Sequence, residues 1–202
     1  MRRGRIGTMI GVAGMAALTI ALASYPAVAQ TKLKRPLTFP LKVTKSGSYV
    51  MTDNFIVGAT TVPCIKVSVN DVTINMMGFS ILGPGKGTGI GIDASSATDV
   101  TIENGAVTGM GGSGVVVGAN GVVRDVRSYG NGAGSGGGSG IACAGSGCLV
   151  ISSIANGNTK GNGLNFFDTS DGYQEDVIFG NMGTVSSGTN MGNNVCGTIL
   201  CP

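Results

Sequence analysis

The stretch Gly114-Val-Val-Val-Gly-Ala-Asn-Gly-Val-Val-Arg-Asp125 holds two short apolar strands, with a glycine before the first and a turn residue after the second. Similar first strands begin at Ile65, Ile90, Val115, Ile141 and Leu164, so that successive starts are 25, 25, 26 and 23 residues apart. These segments have period-2 patterning and many β-branched residues, and no helical period lies between them. A period in the twenties with short strands in each repeat is typical of a solenoid.

A second strand follows the first in each repeat, and most of these strands lead into a polar turn residue. The second strands are residues 72–74, 100–102, 122–123, 149–151 and 177–179, and the turn residues are Asn104, Asp125, Ser153 and Asn181. Such residues tolerate left-handed backbone geometry, and they predict a polar ladder at one corner of a stack. Variable loops between evenly spaced strands argue against a hairpin sandwich, and a propeller blade needs about 40 residues. We therefore predict an all-β fold, a right-handed parallel β-helix of about six to seven coils with N- and C-terminal caps.

Three further segments carry a resemblance to a known family. They are Lys45-Ser-Gly-Ser-Tyr-Val-Met-Thr-Asp-Asn-Phe-Ile-Val57, Asp71-Val-Thr-Ile-Asn-Met-Met-Gly-Phe-Ser-Ile-Leu-Gly-Pro-Gly85 and Asn194-Val-Cys-Gly-Thr-Ile-Leu-Cys-Pro202. With the Gly-Ile strand starts and Asn-Gly turns, they resemble secreted bacterial β-helix repeat proteins of the pectate-lyase-like fold. The resemblance implies the fold over nearly all of the chain after residue 29. It does not imply one activity, because that fold serves lyases, hydrolases, epimerases and non-catalytic surface proteins.

The N-terminal 29 residues have the pattern of a cleaved export signal. Arg2, Arg3 and Arg5 precede an apolar run over residues 9–23, and small residues end the pattern at Ala29. A retained membrane anchor is the alternative, but the run is shorter than the ~20 residues that span a bilayer. We expect an extracytoplasmic protein, periplasmic or secreted, without a membrane span after cleavage. The remaining chain has ten basic and ten acidic residues, which argues against a nucleic-acid partner.

The chain after the signal divides into three parts. Residues 30–57 are irregular and are predicted to form the N-terminal cap and the first coil. Residues 58–185 contain the β-helix repeats, and residues 186–202 are predicted to form the C-terminal cap. Caps are expected because the open strand edges of a solenoid invite aggregation.

Five cysteines in an exported chain suggest disulfides with one thiol left over. The local pairings are Cys143 with Cys148 and Cys196 with Cys201. A zinc site is the alternative, but the chain has no Cys-x-x-Cys pair. Cys64 adjoins an inward-facing isoleucine and is expected to be a buried free thiol.

The chain has no histidine, which removes the usual general base of hydrolases and the commonest transition-metal ligand. On the face exposed beside the first strands, Lys66 and Asp93 are the residues we would assign to catalysis if the protein is an enzyme. A lone aspartate supplies neither a calcium site nor the carboxyl pair of a glycosidase, so a solvated surface is the alternative. Glu103 and Arg124 occupy matching outward positions on adjacent coils and predict a cross-strand pair.

The candidate ligand-binding residues are Asn165, Phe167, Asp168 and Asp171. The acidic stretch 168–176 could bind calcium, although its spacing does not match an EF-hand and a solvated loop is the alternative. No other cofactor is expected.

We therefore predict an exported, non-catalytic β-helix protein that binds a glycan or another envelope component. A polysaccharide lyase or glycoside hydrolase is the first alternative, and a structural surface scaffold is the second.

Overall fold

A computed structural model of the protein describes residues 29–58, 61–197 and 199–201, with only the backbone of residues 199 and 200. These ranges contain 21 strands and no helix. Accordingly, no helix in the described part of the chain is long and apolar enough to cross a membrane. The predicted export signal lies outside the described residues except for Ala29.

Two sheets wind around a shared interior. The seven-stranded sheet, called Face 1, consists of β2 (Leu41–Val43), β5 (Ile65–Val67), β8 (Ile92–Ala94), β10 (Val115–Val117), β12 (Ile141–Cys143), β15 (Asn162–Phe166) and β18 (Gly183–Ser186). The 14-stranded sheet consists of β1 (Gln30–Leu33), β3 (Gly47–Met51), β4 (Phe55–Ile56), β6 (Val72–Asn75), β7 (Ser80–Leu82), β9 (Val100–Thr108), β11 (Val122–Tyr129), β13 (Leu149–Ile151), β14 (Ile154–Asn156), β16 (Gly172–Gln174), β17 (Val177–Phe179), β19 (Thr189–Asn190), β20 (Val195–Cys196) and β21 (Ile199–Leu200).

The 14-stranded sheet bends at a corner and forms two faces. Face 2 contains β1, β3, β6, β13, β16, β19 and the first halves of β9 and β11. Face 3 contains β4, β7, β14, β17, β20, β21 and the second halves of β9 and β11. Every strand pair is parallel except β20 with β21. The predicted all-β parallel solenoid is thus confirmed, with about six turns.

Face 1 contributes the central row of the core, in which equivalent side chains stack coil upon coil. The row consists of Leu41, Ile65, Ile92, Val115, Ile141, Leu164 and Val185. The prediction that Ile90 belongs to this row is wrong by two residues. Ile92 is fully buried, whereas Ile90 precedes the strand and its carbonyl accepts a hydrogen bond from Cys64 N at 2.8 Å. Gly89-Ile90 and Gly91-Ile92 carry the same local signal, so only pairing with the neighbouring coils distinguishes them.

The corner between Faces 2 and 3 also agrees only in part with the prediction. The left-handed residues at this corner include Asn104, Asp125, Ser152 and Glu175, with φ of 56°, 54°, 51° and 58°. Asn104 and Asp125 were predicted here, but Ser153 and Asn181 are wrong because their side chains make interior hydrogen bonds. The later coils have a third strand, so Val177 pairs with Ile154 on Face 3 and does not continue the row of Leu149.

A column of asparagines runs inside the solenoid beside Face 3. The backbone N–H of Asn131 donates to Asn158 Oδ1 at 3.0 Å, and that of Asn158 donates to Asn181 Oδ1 at 2.9 Å. The three side-chain amides in turn donate to backbone carbonyls of Val107, Ser128 and Ala155. Asn131 and Asn158 are fully buried. Each coil thus satisfies the buried polar groups of the next.

A second interior column contains an aspartate. Ser153 N donates to Asp176 Oδ1 at 2.7 Å, and Asp176 N donates to Asn194 Oδ1 at 2.8 Å. Asp176 is 1% exposed, and its Oδ2 has no hydrogen-bond partner. Burial, only partly opposed by backbone hydrogen bonds, raises the pKa of Asp176 to about 7. An amide fits the same position one coil later, where Asn194 Nδ2 donates to the Tyr173 carbonyl at 3.0 Å.

We expect Asp176→Asn to stabilise the protein at neutral and alkaline pH. The folded pKa lies above the unfolded value of 3.8, so the stability linked to Asp176 is complete below that value and is lost as the pH rises through about 7. Asparagine keeps Oδ1 and carries no charge, so the free energy of unfolding at pH 8 should rise by about 1–3 kcal/mol. Urea denaturation across this pH range measures the effect. Asp125→Asn, at the exposed corner, is the control. An unchanged pH slope in Asp176→Asn would contradict the assignment.

The cysteines agree with the sequence predictions except at one pair. Cys196 and Cys201 form a disulfide, and Cys64 is a buried free thiol whose pKa is raised to about 12 by burial. Cys143 and Cys148 are both buried free thiols, so the predicted bond between them is not formed. Cys148 Sγ instead donates to the Gly118 carbonyl of the preceding coil at 3.1 Å.

The disulfide joins β20 to the residue that directly follows β21, the antiparallel strand that covers the end of Face 3. The double variant Cys196→Ser, Cys201→Ser should lower the free energy of unfolding by about 2 kcal/mol, the loop-closure value for so short a loop. Denaturation monitored by circular dichroism measures the loss. A Cys→Ser change at another site is not a neutral control, because Cys64 is itself buried. The matched comparison is therefore the unchanged protein before and after its disulfide is reduced with dithiothreitol. Equal stability before and after reduction would contradict the cap function of the bond.

Candidate functional site

Lys66 and Asp93, the residues predicted for catalysis in an enzyme, lie side by side on Face 1. Lys66 Nζ donates to Asp93 Oδ2 at 2.8 Å. Asp93 Oδ1 accepts hydrogen bonds from the N–H and the hydroxyl of Ser95, at 3.1 and 2.7 Å. The register that buries Ile92 makes this contact, whereas a strand that began at Ile90, as the sequence predicted, would place Asp93 two positions further along its coil than Lys66. The ammonium group and both carboxylate oxygens therefore already have protein partners.

The environment of Asp93 is that of a cross-strand ion pair. Burial favours a higher pKa for Asp93, but the hydrogen bonds from Lys66 and Ser95 outweigh it and hold the pKa below 3.8. A glycosidase needs two carboxyl groups about 5–9.5 Å apart. The next residues of this outward row are Val116 and Ala142, so the row adds no second carboxyl beside Asp93.

Two of the predicted ligand-binding residues lie near this row. Asn165 continues it from Ala142, and its Oδ1 accepts a hydrogen bond from Asn162 Nδ2 at 3.3 Å. Phe167 follows at the end of β15 and is 70% exposed. Asn165 is three coils from Asp93, a separation of about 14 Å, so the structure does not bring these residues into one site with the ion pair.

The other two predicted residues, Asp168 and Asp171, stabilise a turn. Asp168 is exposed and its Oδ1 accepts from Ser170 N at 2.8 Å. Asp171 is fully buried and accepts from Cys148 N at 2.9 Å and from Asp168 N at 3.3 Å. A buried carboxylate with backbone partners is unavailable to a large ligand, so Asp171 has a structural role.

The acidic stretch 168–176 does not gather its carboxylates. Glu175 accepts from Ser152 Oγ at 3.0 Å at the corner, while Asp176 is in the interior column. Within the described ranges, no group of three or more Cys, Asp or Glu side chains is arranged to hold a metal ion. Calcium binding at this stretch stays a prediction.

We expect Lys66→Met to cause a small, pH-dependent loss of stability. The folded pKa of Asp93 lies below its unfolded value of 3.8, so the ion pair contributes above that pH and is lost as the pH falls through the folded pKa. The free energy of unfolding should fall by about 0.5–1 kcal/mol at pH 7, and the difference should vanish at pH 2. Thermal denaturation across this range measures it, with exposed Lys86→Met as control. A loss that persists at pH 2 would mean that packing of the lysine side chain causes it.

A groove of about 630 Å³ lies over the corner between Faces 2 and 3. Its lining residues come from four successive coils: Asn75, Met77, Gly78, Asn104, Gly105, Asp125, Arg127, Ser152 and Ile154. With coils about 4.8 Å apart, the groove extends about 14 Å along the solenoid axis. We call this surface the corner groove.

The backbone at the corner explains why a groove forms there. One left-handed residue in each coil, such as Asn104 or Asp125, turns the chain from Face 2 to Face 3 without ending β9 or β11. A Cβ atom at Gly105 would lie 2.3 Å from Cβ of Met76. The missing side chain would point into the interior, toward the buried Met76, so glycine is required by the packing beneath the groove.

Two arginines on β11 have opposite roles. Arg124 Nε donates to Glu103 Oε2 at 2.7 Å, which confirms the predicted cross-strand pair. Glu103 Oε1 accepts a further hydrogen bond from Asn75 Nδ2 at 2.8 Å. The guanidinium group of Arg127 lines the groove and has no hydrogen-bond or ion-pair partner among the described residues. It is available to a ligand.

Aromatic side chains lie beside the groove on Face 3. Tyr129, Asn156 and Phe179 stand in one outward row, with Tyr129 44% and Phe179 41% exposed. The two rings are two coils apart, about 10 Å. Tyr129 follows Arg127 by two residues on β11 and therefore projects from the same side of the sheet.

Sequence reasoning missed the corner groove as a site. It identified Asn104 and Asp125, but only as turn residues, and it did not single out Arg127 or Ser152. The available signal was a polar residue that recurs after the second strand, together with an arginine, Arg127, that has no acidic residue at the equivalent position of the neighbouring coils.

Comparison of the chain with protein-family models, curated proteins and solved structures gives no match.

Proposed function

We propose that this protein is an exported, non-catalytic solenoid that binds a polysaccharide along the corner groove. The observation that carries the proposal is the groove itself, in which polar side chains recur once per coil over four coils. A polymer laid along the axis would meet a polar side chain at each step of about 4.8 Å.

The composition of the groove suits a carbohydrate. Met77 and Ile154 supply apolar surface, and the amide of Asn104 supplies hydrogen-bonding groups. The hydroxyl of Ser152 donates to Glu175, and its oxygen remains available as an acceptor. Binding sites generally combine apolar walls with a few polar groups that fix orientation. Tyr129 extends the surface with a partly exposed ring that combines an apolar body with a polar tip.

The pattern of carboxylates favours binding over hydrolysis. Among the described residues that line the groove, Asp125 is the one carboxylate. The neighbouring Glu103 is 7% exposed and is held by Arg124 and Asn75. The described lining residues of the groove therefore do not provide the two carboxyl groups, one of them a general acid, that a glycosidase places on either side of the scissile bond.

The setting of the protein supports a glycan partner. The first 29 residues have the pattern of an export signal, and the coils resemble secreted bacterial β-helix proteins of the pectate-lyase-like fold. A polysaccharide lyase or hydrolase that uses Lys66 and Asp93 is the second candidate, and its support is the resemblance. The ion pair between these two residues weighs against it. A structural surface scaffold without a ligand is the third candidate.

Binding to a broad glycan array, followed by titration calorimetry on the best ligand, tests the proposal. Relative to the unchanged protein, Arg127→Ala should weaken binding about tenfold or more, because a charged hydrogen bond is lost. Lys66→Ala on Face 1 is the matched control and should bind normally. The proposal fails if no glycan binds, or if Lys66→Ala and Arg127→Ala weaken binding equally. Release of ultraviolet-absorbing unsaturated product from acidic polysaccharides would instead establish a lyase.

A further inference from the structure

We propose that the C-terminal end of the solenoid is an interface at which two copies of this chain meet in a closed, two-fold dimer. The proposal does not depend on the glycan-binding function. It starts from the strands that end the stack. On Face 1 the last strand is β18, and on Face 2 it is β19, and neither has a further strand partner in the described part of the chain. The antiparallel strand β21 covers the end of Face 3, and Cys201 after it contacts β19 through one side-chain hydrogen bond, from Asn190 Nδ2 to the Cys201 carbonyl.

The two ends of the solenoid differ in how their edges are protected. Residues 30–57 at the N-terminal end contain five basic residues and one acidic residue, and Pro36 and Pro40 lie just before β2. Charged residues and prolines are the usual means by which proteins prevent edge strands from pairing. Residues 177–202 contain no charged side chain at all. The C-terminal edge therefore lacks the protection that the N-terminal edge has.

Exposed apolar side chains are concentrated at the same end. Five of the nine large hydrophobic residues that the described structure exposes belong to its last coils: Phe167, Phe179, Met182, Met191 and Val195. Met182 is 71% exposed and directly precedes β18, and Met191 is 54% exposed and directly follows β19. Apolar residues at an unpaired edge mark an interaction surface.

The charge distribution favours the C-terminal end of a second copy of the chain as the surface that contacts this one. Two N-terminal ends would repel each other, since each carries an excess of basic residues. An N-terminal end placed on a C-terminal end would bury Lys32 or Lys34 against a surface without acidic groups, which costs desolvation without a partner. Two C-terminal ends bury no charged side chain. Under a two-fold axis, β18 would pair with its counterpart in antiparallel orientation, and the contact closes after two copies.

The mass of the purified protein in solution tests this proposal, by light scattering after gel filtration across a wide range of concentrations. We expect twice the mass of one chain, and we expect it to persist at high salt because no charged side chain is buried. The variant Met182→Lys, Met191→Lys should halve the mass. If that variant does not fold by circular dichroism, Ser186→Lys on β18 takes its place. Ile56→Lys, at an exposed apolar residue of the N-terminal end, is the matched control and should remain dimeric.

Four results would overturn the proposal. They are a single-chain mass at every concentration, dissociation by Ile56→Lys, retention of the dimer with lysines at the C-terminal edge, and growth beyond two copies. Growth beyond two copies would indicate head-to-tail stacking instead. Hydrogen exchange gives an independent check, since the β18 amides should exchange more slowly as the concentration rises.

Discussion

Parallel hydrogen bonding from one coil to the next determines nearly everything else in this protein. Because each strand pairs with its equivalent one turn later, a residue type that recurs in the sequence becomes a column in space. Columns that point inward must satisfy their own polar groups, and Asn131 and Asn158 do so through backbone donors and acceptors of neighbouring coils. Columns that point outward form rows such as the one that contains Lys66 and Asp93.

The fold was predictable because a repeated in-and-out pattern survives in the sequence wherever strands stack. Register was less predictable, because it depends on loop length. Gly89-Ile90 and Gly91-Ile92 are alike locally, and the buried row accepts only Ile92. The second error concerns Val177, which the sequence pattern placed in the row of Leu149. That row continues through Gly172, and Val177 belongs to the third strand of its coil, on Face 3.

A small polar residue after a strand has two possible structural roles, and the sequence alone does not distinguish them. A small polar side chain can stabilise a left-handed corner, as at Ser152, or it can join an interior column, as at Ser153. The two serines are adjacent, and only the direction of the backbone assigns their roles. The candidate site was missed for a related reason. A groove results from the angle between two faces. Arg124 differs from Arg127 because Glu103 of the preceding coil lies opposite Arg124, whereas Ala106 lies opposite Arg127.

The position of the corner groove separates its function from the state of the solenoid ends. It lies on the side of the stack, on the coils of Asn75 to Ser152, and the last coil contributes no lining residue. A contact at the C-terminal edge would therefore leave the groove open on both copies. Two grooves related by a two-fold axis would bind separate stretches of one polymer, and the second binding event would be intramolecular. Under the proposed function, weak contacts along a shallow groove would then suffice for firm attachment to a long polysaccharide.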